Sequence, residues 1–381
     1  MAVPLAARWV AAVFGALLLL TDANSVIGTL IVPRPVGSWL TRLVDRVVIT
    51  AYRFVTKGIP DYRTRDRIFA TKAAAILLTQ LISWLGLAFF GFTLMMWPFA
   101  SRGIASAFTD AGSSIFTLGF AEPSGAGPAV LIFLAAGTGL VLVALQIGYL
   151  PTLYAAFNRR ETEVALLNAR AGVPSWGPEL LARTHYALGS GVSSIDTLPE
   201  LYMRWERWAA DVAESHTTYL PLVRFRSPLP LSSWVTSLLA VLDSAALILT
   251  LAPETAPTVP ARLCLRGGFQ CFARIARAMG IDVPQEADPS AGITLTYEEF
   301  LDAVHRMQEV GFPIRPDPAA AWPEFVGWRV NYEYAAYRIA EEVDAVPALW
   351  SGPRHRPTPP IPPYRPPTGR PPTERQPPGK P

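Results

Sequence analysis

Two stretches without a single charge set the terms for how this chain can fold. Ala73–Ser101 and Pro123–Asn158 contain no Asp, Glu, Lys or Arg. Each exceeds the roughly 20 apolar residues that a helix needs to cross the hydrocarbon core of a bilayer. Between Lys72 and Arg159 the only charged residues are Arg102, Asp110 and Glu122, whereas soluble domains carry charge at about one residue in four. Beyond Arg159 the charge density is that of a soluble domain, although the whole 381-residue chain is only 17% charged. The chain therefore reads as a membrane part followed by a soluble part. The net charge of +3 gives no electrostatic footprint for nucleic acid.

Trp9–Val32 is a third apolar segment, interrupted by Asp22 and Asn24. It reads as a span with a polar residue turned inward, as a signal peptide built on Ala11–Leu20, or as a hairpin that dips into the membrane. The span agrees best with the basic segment after it. There Arg34, Arg42, Arg46, Arg53, Lys57, Arg63, Arg65, Arg67 and Lys72 crowd together against three acids, and such an excess marks a cytoplasmic loop. Within this segment, Leu40, Leu43, Val44, Val47, Val48, Ala51, Phe54 and Val55 recur at helical spacing. Arg42, Asp45, Arg46, Arg53 and Lys57 fall mainly on the other side. This basic amphipathic helix is suited to lie against anionic lipid head groups or to pack on the soluble domain. The expected topology puts the N-terminus outside, residues 33–72 and everything after Phe157 in the cytoplasm, and residues 98–127 outside or re-entrant.

The segment between the two charge-free stretches, residues 101–123, is too short and polar to be a span and too apolar for a simple external loop. A short helix and then a loop, buried among other helices, fits it. It contains Thr117-Leu118-Gly119-Phe120-Ala121, with Glu122 next. With flanking spans over Ala73–Phe157, it resembles the potassium-channel superfamily, whose filter reads Thr-x-Gly-Tyr/Phe-Gly before an acid. The resemblance covers under a quarter of the chain. It implies an outer helix, a pore helix, a filter loop and an inner helix, assembled as a homotetramer in the cell membrane around potassium or other monovalent cations.

In such a filter, backbone carbonyls and a Thr hydroxyl replace the ion's water. Gly permits the dihedrals that aim successive carbonyls at one axis, and the pore helix turns its negative C-terminal end toward the cavity. The resemblance assigns the filter to Thr117, Leu118, Gly119, Phe120 and Ala121, with Glu122 at its mouth. Leu118 and Phe120 are expected to wedge the loop against the pore helix. Ala121 stands where the family has Gly, and Phe116 where it has Thr. A Cβ resists the left-handed conformation, so strain at Ala121 and a weak preference for potassium are expected. Gly137, Gly139 and Pro151 in the inner helix mark either a gating hinge or close helix packing. Arg63, Arg65 and Arg67 are spaced by two, on no apolar helix, and do not form a voltage sensor.

After Arg159 the expectation is helix throughout: Arg160–Ala171 stopped by Gly172 and Pro174, then Pro199–Ser215, Ser232–Ala252, Pro260–Met279, Thr296–Glu309 and Pro323–Val346. Ser232–Ala252 is nearly long enough to span, but Asp243 at its centre favours a buried core helix. Thr296-Tyr-Glu-Glu299 reads as a capping box, which explains Asp288–Glu299 better than a calcium loop does, since Ile293 occupies the position that requires Gly. Cys264 and Cys271 share one helix face as small apolar side chains. His185, His216, His305 and His355 are scattered, and no catalytic or cofactor constellation stands out. Residues 351–381 are so rich in Pro that an extended, disordered tail is expected. The fold class is all-α, with a pore-loop channel module and a helical cytoplasmic domain. The competing function is a membrane-anchored scaffold or sensor that conducts nothing.

Overall fold

The computed structural model describes residues 3–32, 38–123, 125–186, 194–284, 292–315, 317–352 and 359–364. Among them the regular structure is helical, with one isolated backbone bridge between Ala348 and Ile361. The helices are α1 (Leu5–Val26, continued by a wider turn over Ile27–Ile31), α2 (Trp39–Thr56), α3 (Tyr62–Ala70), α4 (Lys72–Met96), α5 (Ile104–Ile115) and α6 (Ala126–Ala171). They continue with α7 (Gly177–Tyr186), α8 (Leu198–Thr218), α9 (Trp234–Leu251), α10 (Thr258–Ala278), α11 (Tyr297–Glu309), α12 (Ala321–Arg329) and α13 (Glu333–Glu342). Four stretches are long and apolar enough to cross a membrane: Leu5–Ile31, Tyr62–Phe99, Ala126–Ala171 and Trp234–Leu251. The chain forms two compact units, Met1–Arg159 with Val212–Arg226, and Arg160–Asp211 with Ser227–Pro381.

In the first unit α1 runs along α4 through small residues. A Cβ on Gly15 would lie 2.5 Å from the Gly91 carbonyl oxygen, and one on Gly91 would lie 2.8 Å from the Leu19 side chain. Trp84 is fully buried and donates its indole N–H to Ser25 Oγ at 3.0 Å. Asp22 is buried in the same helix as Ser25. A helix docked this closely is part of the unit's core.

Ser38 caps α2, its hydroxyl accepting from the Leu40 N–H at 3.2 Å. Leu40, Val44 and Val48 enter the same core as α4 residues, while Trp39, Leu43, Val47 and Phe54 stay exposed. The apolar face read from the sequence is thus two faces, one packed and one open. Helix α3 has too little apolar periodicity to be read as a helix. Asp61 starts it by accepting from the Thr64 N–H and hydroxyl at 2.8 and 2.7 Å, which holds the Asp61 carboxyl below its usual range. Residues 212–226 return to close the unit. Leu222 is fully buried beside Leu77, Tyr149, Leu153 and Ala156. Arg226 pairs with Asp66 at 2.9 Å, donates to the Tyr62 hydroxyl and covers the Phe69 ring.

The buried residues of α6 in this unit are Ala135, Gly139, Leu142, Gln146, Tyr149, Leu153 and Ala156. They alternate steps of four and three, the spacing of one continuous packed stripe.

The second unit is built around α9. Every α9 residue except Leu249 is buried, and α7, α10, α12 and α13 pack on it. Gly177 allows close approach, since a Cβ there would lie 2.7 Å from the Asp243 Cβ. Asp243 accepts from Arg329 and from the Tyr332 hydroxyl. Arg329 also donates to Glu333 at 2.6 Å, and to the Tyr337 hydroxyl and Trp350 carbonyl at 2.8 Å each. Glu333 accepts in turn from the Thr294 N–H and hydroxyl. A buried charge is tolerable when paired and fully hydrogen-bonded in this way, and the network accounts for an acid at the centre of an apolar helix.

The single helix expected over Pro323–Val346 is two, α12 and α13. Asn331 donates its side-chain amide to the carbonyls of Gly327 and Trp328 at 2.9 and 3.0 Å, competing for the acceptors that would continue α12. The capping box is present, with Thr296 N–H donating to Glu299 Oε2 at 3.0 Å and Glu299 N–H to Thr296 Oγ1 at 3.4 Å. Asp288 lies outside the described residues. Cys264 and Cys271 are fully buried in α10, and burial pushes both thiols up, Cys271 to about 12. Of the tail, residues 353–358 and 365–381 lie outside the described residues, and the described part beyond Gly352 is not free of the fold. Residues 359–364 lie against the second unit, held by Ile361 N–H to the Pro347 carbonyl at 2.7 Å and Tyr364 N–H to the Val173 carbonyl at 2.9 Å.

Candidate ion filter

Helix α5 is seated on α4 by its smallest residues. Ala107 and Ala111 are fully buried, and a Cβ on Gly112 would come within 3.3 Å of the Phe89 ring. Phe89 also meets Phe108 edge-on, with ring centroids 4.6 Å apart. Bulkier residues along this line would lift the helix from its support. Gly103, at φ 79°, makes the turn into its N-terminus.

The C-terminus of α5 defines the loop beyond it. Thr117 adopts φ 54° and donates its N–H to the Ser114 carbonyl at 3.0 Å, and the next N–H, of Leu118, binds the Ser113 carbonyl at 2.8 Å. That pair of bonds is a Schellman cap. Gly or Asn is usual at its left-handed position, and a β-branched Thr there costs roughly 1–2 kcal/mol. Gly119 is left-handed as well, at φ 75°, and its N–H also points at the Ser113 carbonyl, at 3.4 Å. The next two N–H groups, of Phe120 and Ala121, donate to Ser113 Oγ at 2.9 and 3.0 Å. Five consecutive N–H groups, Thr117 to Ala121, are therefore turned back onto Ser113 and Ser114. No described residue donates to the carbonyl oxygens of Thr117, Leu118, Gly119 or Phe120. The loop thus has a bonded N–H side and an open carbonyl side.

Two expectations change. Ala121 is not among the left-handed residues; the strain sits at Thr117, where the helix ends. Leu118 and Phe120 do not wedge the loop against α5 within one chain, being 64% and 58% exposed, with Phe116 at 53%. Glu122 is exposed beside them. A single chain leaves this apolar rim uncovered.

Of the three α6 residues singled out in the sequence, Gly139 has a definite packing role. A Cβ there would collide with the Ile115 carbonyl oxygen at the end of α5, so Gly139 lets α6 brace the base of the loop. Gly137 has nothing within 4 Å of where its Cβ would be. Pro151 lies inside α6, which continues unbroken to Ala171. Ser113 is a residue that the sequence pattern does not single out. Its place in the last turn of a short helix, just before a Thr-x-Gly string, is visible there, but nothing in one sequence separates it from Ser114. No protein-family model matches the chain, and neither a curated protein nor a solved structure matches it.

Proposed function

We propose that the chain is one subunit of a cation channel, with Thr117–Ala121 as its quarter of a filter ring. The observation that carries this reading is the two-sided loop: N–H groups bound to Ser113 and Ser114, and carbonyls that no described residue binds. A carbonyl side without internal partners is what a dehydrated cation requires of its ligands. At membrane depth it needs either a cation or other protein groups to satisfy it. The exposed rim of Phe116, Leu118 and Phe120 is the surface that neighbouring copies would cover, and closure of a carbonyl ring about an axis calls for cyclic symmetry, here a tetramer. The basic run over residues 34–72 orients the chain with α2, α3 and the second unit in the cytoplasm of the cell. The cation is monovalent, potassium first.

The test is flux. Purified protein in liposomes with opposed potassium and sodium gradients is expected to pass cations, with unitary steps in planar bilayers. Absence of both from correctly assembled protein leaves the scaffold or sensor function instead.

A further inference from the structure

The contact made by residues 359–364 has the make-up of a peptide-recognition site. Its floor is Gly172, at φ 82°, where a Cβ would lie 2.6 Å from the Pro363 Cβ. Only Gly meets both the conformation and the space. Pro363 is accordingly buried while Pro362 and Tyr364 on either side are exposed. One wall is the backbone of Val173, whose carbonyl accepts from the Tyr364 N–H at 2.9 Å; the other is Pro347, whose carbonyl accepts from the Ile361 N–H at 2.7 Å. Arg183 closes the end, donating to the Tyr364 carbonyl at 2.9 Å. It is held there by Glu179 at 2.8 Å, and Glu179 is itself pinned by Arg306 at 2.8 Å.

We infer that this groove is a binding site for proline-rich segments of the Ile-Pro-Pro-Tyr type, filled in cis by the chain's own tail. The two N–H groups of the Ile361-Pro-Pro-Tyr364 segment both reach acceptors, and its two prolines have none to satisfy. Proline-rich segments lose little entropy on docking because they are already extended. Guanidinium, carbonyl acceptors and a Gly floor are all furnished by the folded unit, so the segment behaves as a ligand on a tether. The chain itself brings it to the groove at an effective concentration of order 1 mM. With a free-peptide affinity of roughly 0.1 mM, the tethered copy would weaken binding of a second peptide about tenfold.

The experiment uses the full chain in detergent and a fluorescent peptide of residues 359–364. Pro363→Arg in the chain adds bulk and a like charge beside Arg183 and should empty the groove. This variant is expected to bind the peptide saturably, and the natural chain about tenfold more weakly. A peptide carrying the same Pro363→Arg change should not bind, a control independent of protein folding. No binding to the emptied groove would make the segment an ordinary part of the fold and overturn the proposal. Equal binding to both chains, or binding of the altered peptide, would place the peptide elsewhere and overturn it too.

Discussion

Ser113 gathers four of the loop's N–H groups, two on its carbonyl and two on its hydroxyl. Ser113→Ala removes the hydroxyl pair and leaves two N–H groups without an acceptor. At about 1 kcal/mol net per bond the loss is about 2 kcal/mol in each chain. The expected outcome is potassium flux in liposomes reduced at least tenfold, with oligomer size unchanged on a sizing column. Undiminished flux would detach the loop's geometry from conduction. Gly119→Ala meets no steric obstacle, since nothing lies within 4 Å of the added Cβ, and acts only through its positive φ. A strain of roughly 1–2 kcal/mol per subunit is expected to lower flux without lowering expression. Ala121→Gly, by contrast, is expected to leave the reversal potential under opposed potassium and sodium gradients unchanged, because Ala121 carries no left-handed strain to relieve. A shift toward potassium in that variant would restore Ala121 as the strained position.

Helix contacts separate the two glycines of α6. Gly139→Ala should lower thermal stability, because the new Cβ collides with the Ile115 carbonyl. Gly137→Ala, with open space around it, should raise stability by up to about 1 kcal/mol through helix propensity. Stabilisation by both would show that α5 and α6 do not meet at Gly139. Arg329→Ala leaves Asp243 and Glu333 buried without their cation, at a cost of about 3–5 kcal/mol. A melting temperature lowered by roughly 10 °C is expected from that loss, and an unchanged one would remove the network from the core. The long apolar helices were legible in the sequence because charge-free runs leave few alternatives: α4 and α6 lie where Ala73–Ser101 and Pro123–Asn158 put them. Cap chemistry was legible at Thr296 and Glu299. The break between α12 and α13 was not, because Asn331 sits in a pattern of buried positions that runs straight through it. Nor was α3, held by a cap and by Arg226, which lies far away in the sequence. Of the candidate site, the string Thr117–Glu122 could be read, but not the Ser113 anchor or the left-handed Thr117, since both arise from how the loop folds back on α5.

For the whole molecule, the proposed topology places α2 and α13 on one side of the membrane. Single cysteines at Arg53 and Tyr334, both on the described surface of their helices, should resist an impermeant thiol reagent applied to intact cells and react once the cells are opened. Labelling of either from outside would reverse the orientation. The proposed tetramer should survive deletion of residues 353–381, because no helix lies beyond Gly352 among the described residues. A shift to monomer would give the tail an assembly role. The Schellman cap at Thr117 bears on how such an assembly could form. Ordering a backbone residue costs roughly 1–2 kcal/mol in lost conformational freedom. Since each chain fixes Thr117–Ala121 against its own α5, that loss is met while the chain folds alone. Four copies coming together would then bring rigid, matching edges to a common axis and need not order a loose loop at the moment of contact.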